Sequence, residues 1–528
     1  MSILRGSEIS QEPKPAIAGA APRWLSWPAA LLATLLLAFV AQGTRGIWEP
    51  DEGFYANVAV EMVQSGDWWL PKLNGSPFLD KPPLQYWGMA LGAVVFGVDE
   101  WSLRCAHALW LVGTAILVGL FAQELWGRRA GPAGALAYSM TLAPFLAANV
   151  LTPDTPLTFA VSAMAFSYWK WQGESSPGRE ILWSGALGLA GGLGLLAKGP
   201  AVLVFAFPLA LHLLLTRGVA GFRRPLLWVA CAGALAVGGS WYALIALKVP
   251  GAWSYFFDNQ VAGRLWSDHY QRNAGWSGPF KVYLPMLLAG GLPWSLALPR
   301  WFRSSLRDLR GSGELSTGER STKLLLMLWI VAPLAVLALA SSRLPLYALP
   351  ILPAIALAAV GLHLSSEGKG TGSRSRRLLP GFLSAWCFVL IGLKVGAAFW
   401  PTADDSRSLA RSLRDLGIER SASILAVDCK RNGLPVYGYD ALQTVRHRSR
   451  KYPFFTPQPM LLDALQNPAA ANPSQVLLVR QGRSPELLED LQAEDFQCRL
   501  LGSIVGTEIV RCLPHLPDRQ AAAGQPGF

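Results

Sequence analysis

Apolar runs close to twenty residues long recur from Trp24 to Trp400, and no other feature limits the fold as much. They fall at about 24–42, 103–125, 130–150, 155–170, 181–198, 200–216, 225–247, 279–299, 323–341, 345–363 and 378–400. A bilayer's hydrocarbon core is ~30 Å thick and a helix rises ~1.5 Å per residue, so runs of this length suit membrane-crossing helices. Their separators carry Gly, Pro and Arg, as helix ends do. Hydrophobic residues make up 52% of the 528 positions and charged ones 15%, too few charges to cover a soluble surface of this size. The expectation is an α-helical polytopic membrane protein of about eleven transmembrane helices over 24–400.

Both flanks differ. Residues 1–23 are polar and Pro/Ala-rich and read as a disordered cytoplasmic N-terminus. The run that follows lacks a small-x-small cleavage site before Gly43 and reads as a retained anchor. After Trp400 there are 15 Lys and Arg against 14 Asp and Glu, so almost the whole net charge of +12 belongs to the membrane part, and no basic nucleic-acid module exists. Strands are expected at Ser423–Val427, Gln475–Val479 and Ile504–Val510, and helices at Ser406–Leu416, Pro459–Leu465 and Pro485–Leu491. Alternation of this kind suggests a small α/β domain over 401–528. The six Cys have no zinc-site spacing. Cys498 and Cys512 could form a disulfide if the tail lies outside the cytoplasm, or both could be free.

One segment sets the sidedness. Leu84 to Val98 is apolar but only about fifteen residues long, short for a span. If it lies at the interface, the basic clusters all face the cytoplasm: Arg128-Arg129, Arg217 with Arg223-Arg224, Arg300 to Lys323, and Lys369 with Arg374, Arg376 and Arg377. If it spans, all are translocated. The interfacial reading puts the N-terminus inside, the tail outside, and the loops holding Asp51, Asp154, Arg264–His269 and Arg343 on one outer face.

The loop over 44–102 is the chemically unusual one. Between Glu49 and Pro83 it holds six carboxylates and two lysines among Trp48, Phe54, Tyr55, Trp68, Trp69, Phe78, Tyr86 and Trp87. Aromatic residues favour the membrane–water boundary, and carboxylates there lose hydration and gain basicity. Asp51 and Glu52 equally suit a helix N-terminus behind Pro50. Asp154, in Thr152-Pro153-Asp154-Thr155-Pro156, is a helix cap or a functional acid. Lys81 suits a lipid phosphate, or a pair with Asp80. Lys198 and Arg343 stand in comparable bends before Gly-Pro and Leu-Pro, the latter followed by Tyr347. His269 reads as structural more readily than catalytic, and Arg264 as a phosphate contact.

Glu49-Pro50-Asp51-Glu52, Tyr55, Gly66-Asp67-Trp68 and Asp80-Lys81-Pro82-Pro83 with Tyr86-Trp87, in that order, resemble the first outer loop of the ArnT-like membrane glycosyltransferases. These are related to the protein mannosyltransferases and have the GT-C fold. Trp253-Ser254-Tyr255-Phe256-Phe257, Tyr283-Leu284-Pro285 and Pro293-Trp294 continue the resemblance, which covers roughly 25–365. It implies an inverting glycosyltransferase, multi-pass in the cytoplasmic membrane with an extracytoplasmic site. Such an enzyme moves a sugar from a polyprenyl-phosphate donor to a lipid (lipid A-like), glycan or protein acceptor of the cell envelope. It implies Asp51 as the catalytic aspartate with Asp154 as second acid, and Lys81, Arg264, Arg343 and Lys198 as donor-phosphate contacts. Glu52, Tyr55, Asp80, Tyr86, His269 and Tyr347 are expected to support them. A divalent metal could lie among Asp51, Glu52, Asp80 and Asp154. Gly53-Phe54 departs from the Thr-Arg of the aminoarabinose enzymes, and a histidine expected near Val261 is absent, so neither lipid A nor aminoarabinose follows. A lipid-linked glycan flippase or a non-catalytic polymer-assembly subunit is the alternative; the scarcity of charge within the runs counts against a conduit.

Overall fold

The computed structural model describes residues 25–262, 272–311, 316–367, 372–448, 455–466, 475–504 and 506–514. The expected disorder of 1–23 and the positions of Arg264 and His269 lie outside them.

All eleven apolar runs contain helix. Helix α1 is Trp27–Phe39, α2 Asp51–Ser65, α3 Leu84–Phe96, α4 Glu100–Trp126, α5 Ala130–Ser139 and α6 Leu142–Ala147. Then come α7 Asp154–Gln172, α8 Pro177–Lys198, α9 Val202–Arg217 and α10, continuous over Pro225–Lys248 through a π turn. Helices Gly278–Leu288 (α11), Leu298–Arg310 (α12), Thr317–Leu339 (α13), Leu352–Glu367 (α14) and Gly372–Ala398 (α15) complete the bundle. Among the described residues six stretches are long and apolar enough to cross a membrane: 100–126, 177–223, 225–248, 317–339, 345–365 and 379–398. The chain is a multi-pass membrane protein.

Two runs expected to be single helices are broken, and the breaks answer each other. Run 130–150 stops at Met140, and run 279–299 stops at Gly290-Gly291. At the crossing, Leu142 N–H donates to Leu292 O at 3.0 Å and Ala143 N–H to Gly290 O at 2.8 Å. A break in apolar surroundings is tolerable only when the freed backbone groups find such partners. Gly290 permits the approach, since a Cβ there would sit 2.9 Å from that of Ala143.

Helix α3 has thirteen residues and exposes Leu91, Val94, Val95 and Phe96. At ~1.5 Å per residue it covers about 20 Å, less than a bilayer core. Before it, the hairpin β1 (Lys72–Leu73) and β2 (Ser76–Pro77) turns on Asn74-Gly75, both with positive φ, as a type I′ turn demands.

The tail is a five-stranded sheet of order β4-β3-β5-β7-β6. Ile424–Val427 (β3), Leu442–Val445 (β4) and Gln475–Arg480 (β5) are parallel; Phe496–Ile504 (β6) and Thr507–Pro514 (β7) form an antiparallel hairpin. The expected single strand Ile504–Val510 is two, because the chain turns at Gly506, with φ +78°. Strands β4 and β6 were not expected: one has four residues, the other alternates weakly. Cys498 and Cys512 are cross-strand partners joined as a disulfide.

The sheet domain is docked on the loop 44–102. Glu49 N–H donates to Asp404 O at 2.8 Å and Ser406 N–H to Ile47 O at 2.9 Å, a short two-stranded bridge. Arg407 reaches Glu100 at 2.7 Å and the carbonyls of Gly43 and Thr44 at 2.9 Å, and Tyr437 OH donates to Glu100 at 2.8 Å.

Candidate active site

Helix α2 starts on two carboxylates with different fates. Glu52 is buried. Arg45 grips it with two bonds of 2.6 and 2.8 Å, Arg104 approaches to 3.3 Å, and the N–H groups of Trp48 and Leu151 each donate at 3.0 Å. Burial works against the charge, yet the two guanidinium groups hold the carboxyl down at about 2. Glu52 therefore knots α2, α4 and the loop before α7 together. Asp51 is exposed at the first position of α2.

Tyr55, one turn along, shares the face of Asp51. It is buried, with its ring 6.0 Å from that of Tyr86. Burial first, then the charges of Asp51, Asp80, Tyr86 and Asp154, push its phenol well above 10. Three aspartates from three segments thus act on one phenol.

Asp80 and Lys81 pair at 2.5 Å, so the pairing weighed from the sequence is present. Asp154 opens α7 and accepts from Lys198 Nζ at 2.5 Å and Thr152 Oγ1 at 3.0 Å. The Lys198 ammonium also lies 4.0 Å from the centre of the Tyr347 ring. Tyr283 OH is buried with no hydrogen-bond partner among the described residues, in electrostatic range of Tyr347, Arg343 and Asp154. Arg343 is turned inward: its Nη1 donates to Asn273 O at 2.8 Å and Gly275 O at 3.0 Å, and Nη2 to Ala338 O at 2.9 Å. In this arrangement it clasps the segment after Arg264 and His269.

The four carboxylates named for a metal do not fit one as arranged. Glu52 is saturated by guanidinium groups, Asp80 and Asp154 are each paired with a lysine, and Asp51 alone of the four is exposed. Among the described residues no three His, Cys, Asp or Glu side chains converge as ligands.

Several residues escaped the sequence reading. Arg104 sits in an apolar run, where an ionisable group is a functional or structural signal by default, and Lys394, buried against Ala38 O at 3.2 Å, is another. Glu49 is buried against the tail, accepting from Gly433 N–H at 2.6 Å and Ser406 Oγ at 3.0 Å; burial pushes its carboxyl up to about 8. Gly53 leaves room for it, since a Cβ there would fall on Glu49 Oε2. Lys430 of the tail places its ammonium 5.3 Å from the centre of the Phe54 ring. These two contacts give the Gly53-Phe54 departure a local reason.

The helices run between two ends. Asp154 begins α7 and Lys198 ends α8 at the site, whereas Gln172, Glu180, Arg217 and Arg224 meet at the other, where Arg217 caps Gln172 O and Arg224 pairs with Glu180. This second end carries the basic cluster of Arg217 and Arg224.

A family model described as dolichyl-phosphate-mannose-protein mannosyltransferase matches residues 80–241. The undecaprenyl phosphate-alpha-4-amino-4-deoxy-L-arabinose arabinosyl transferase of Aeromonas hydrophila is 30% identical over 66% of this chain and 62% of its own length. Its counterpart in Pseudomonas savastanoi pv. phaseolicola is 32% identical over 69% of this chain and 67% of its own. The chain thus spans less than two thirds of the Aeromonas protein. The crystal structure of ArnT from Cupriavidus metallidurans bound to undecaprenyl phosphate superposes with a TM-score of 0.73 at 20% identity, covering 92% of this chain and 98% of that one. That likeness extends the shared fold through the sheet domain. By its identity to the Pseudomonas transferase over two thirds of that protein, the chain belongs to the ArnT-like, protein-mannosyltransferase-related family of polyprenyl-phosphate-sugar glycosyltransferases with the GT-C fold.

Proposed function

We propose that this protein is an inverting glycosyltransferase of the cytoplasmic (inner) membrane. It moves a sugar from a polyprenyl-phosphate donor to a lipid, glycan or protein acceptor on the outer face. The observation that carries this reading is the meeting of Asp51, Tyr55, Asp80–Lys81 and Asp154–Lys198–Tyr347 from separate segments at one end of the bundle. The named donor of the relatives, an undecaprenyl-phosphate sugar, supports it.

The acceptor oxygen attacks the anomeric carbon from the face opposite the phosphate. The new C–O bond forms as the old one breaks, and the electron pair leaves on the phosphate. For a hydroxyl acceptor Asp51 takes the proton, help worth ~10²–10⁴-fold. For a phosphate acceptor, already anionic, Asp51 positions it. Lys81 and Lys198, with Arg264, receive the departing phosphate, exchanging their carboxylate partners for it; charge-assisted bonds of this kind stabilise the separating charge. Arg343 holds Asn273 and Gly275 by their carbonyls. The prenyl chain stays in lipid, which accounts for a site at headgroup level.

The cluster of Arg217 and Arg224 at the opposite end supports the outer orientation, since basic clusters mark cytoplasmic loops. A disulfide between Cys498 and Cys512 fits the same side, since such bonds persist in oxidising compartments. The test is mass spectrometry of glycolipids and glycoproteins from cells with and without this chain. A sugar-sized mass present only with the chain, and a polyprenyl-phosphate sugar accumulating without it, is the expected result. Identical profiles would sink the reading.

A further inference from the structure

The reaction centre is built from more than the membrane part. Lys430 stands on the loop leaving β3, at the carboxyl end of three parallel strands, where α/β sheets carry their functional loops. That loop is clamped at both ends. Asp428 accepts from the N–H groups of His447 and Arg448 at 3.0 and 2.9 Å, and Gly433 N–H donates to Glu49 at 2.6 Å. Between them Arg431 bonds Thr507 Oγ1 at 2.6 Å, and Asn432 contacts Asn74 of the β1–β2 turn at 3.4 Å. A lysine on a loop so held has little freedom to wander, and its half-buried ammonium rests over Phe54, three residues from Asp51.

Among the charged groups that act on Lys430 are Asp51, Arg272, Glu49 and Asp80, with Asp51 the largest of these four. Asp51 in turn acts on Tyr55. Burial lowers the ammonium's hold on its proton, and the neighbouring carboxylates offset only part of that loss.

We propose that Lys430 is a positioning residue of the transfer site: the sheet domain supplies, across the domain boundary, the cation that aims the Asp51 carboxylate at the acceptor. This rests on the reading of Asp51 given under Proposed function. It gives the docked tail a part in the chemistry, for which its own sequence has no motif.

The test uses membranes from cells expressing the full chain, with their endogenous lipids as donor and acceptor and product read by mass spectrometry. Lys430→Met is expected to slow product formation by roughly tenfold or more, the loss that follows removal of one partly buried charge-assisted contact. Lys430→Arg is expected to retain most of the rate, and Lys430→Glu to fall below Lys430→Met. In Lys430→Cys, 2-bromoethylamine restores an ammonium at nearly the native distance and is expected to recover the rate, while iodoacetamide is not. Restoration by charge is something a packing role would not produce. Unchanged product formation in Lys430→Met, or recovery with iodoacetamide as good as with bromoethylamine, overturns the inference. Asp51→Asn is run beside them. If it keeps full activity, the reading of Asp51 fails; if it is dead while Lys430→Met is normal, the inference about Lys430 alone fails.

Discussion

Replacing Glu52 by Gln separates the structural from the chemical reading of this carboxylate. The side chain keeps its shape but loses the charge facing Arg45, at 2.6 Å, and Arg104, at 3.3 Å, both buried. Two guanidinium groups are then left without a counter-charge, and breaking a buried ion pair in this way costs about 3–5 kcal/mol. Because the folded carboxyl is held at about 2, below its ordinary 4.5, its contribution is complete above pH ~4.5. It is lost only as the pH falls through about 2. The gap between wild type and Glu52→Gln should therefore be constant between pH 5 and 9. Thermal unfolding of the detergent-purified proteins measures it: a lower midpoint for Glu52→Gln across that range is expected, with partial recovery in Glu52→Gln/Arg45→Met. Wild-type stability combined with lost sugar transfer would refute the reasoning and make Glu52 a reacting group.

Glu49→Gln tests the seam between the sheet domain and α2. The Glu49 carboxyl titrates at about 8 when folded, above its ordinary 4.5, so its neutral form stabilises docking fully below pH ~4.5 and that stability is lost as the pH rises through about 8. Gln fixes the neutral form; protease protection of the tail should stay flat with pH in Glu49→Gln and decline towards pH 9 in the wild type, and parallel curves would count against it. Gly53→Ala puts a methyl group onto Glu49 Oε2 and should cost about 1–3 kcal/mol, read as looser tail docking, whereas an unaltered proteolysis pattern would contradict that clash.

Much of this was legible in residues because membranes make residues legible. Apolar runs must become helices in lipid, and Asp51, Asp80, Lys81, Asp154 and Lys198 stand out as charges at their ends. Pairings distant in sequence were not legible. Nothing periodic ties Arg45 and Arg104 to Glu52, or Gly433 to Glu49. The two helix breaks that satisfy one another could each be suspected from Gly290-Gly291 and Pro144, but not as partners. Lys430 was hidden for a different reason: it belongs to a domain with no catalytic motif, and only docking brings it to Phe54. Arg343 shows the reverse case, a cation conspicuous in sequence whose two Nη groups donate to backbone carbonyls.

The most direct measurement is the glycolipid and glycoprotein profile of cells carrying Asp51→Asn at a membrane level matched to the wild type. The transferred sugar should vanish from its acceptor while the polyprenyl-phosphate sugar accumulates and the purified variant binds a polyprenyl phosphate as the wild type does. Wild-type amounts of glycosylated acceptor would remove Asp51 from the reaction, and with it the centre around which these loops are gathered.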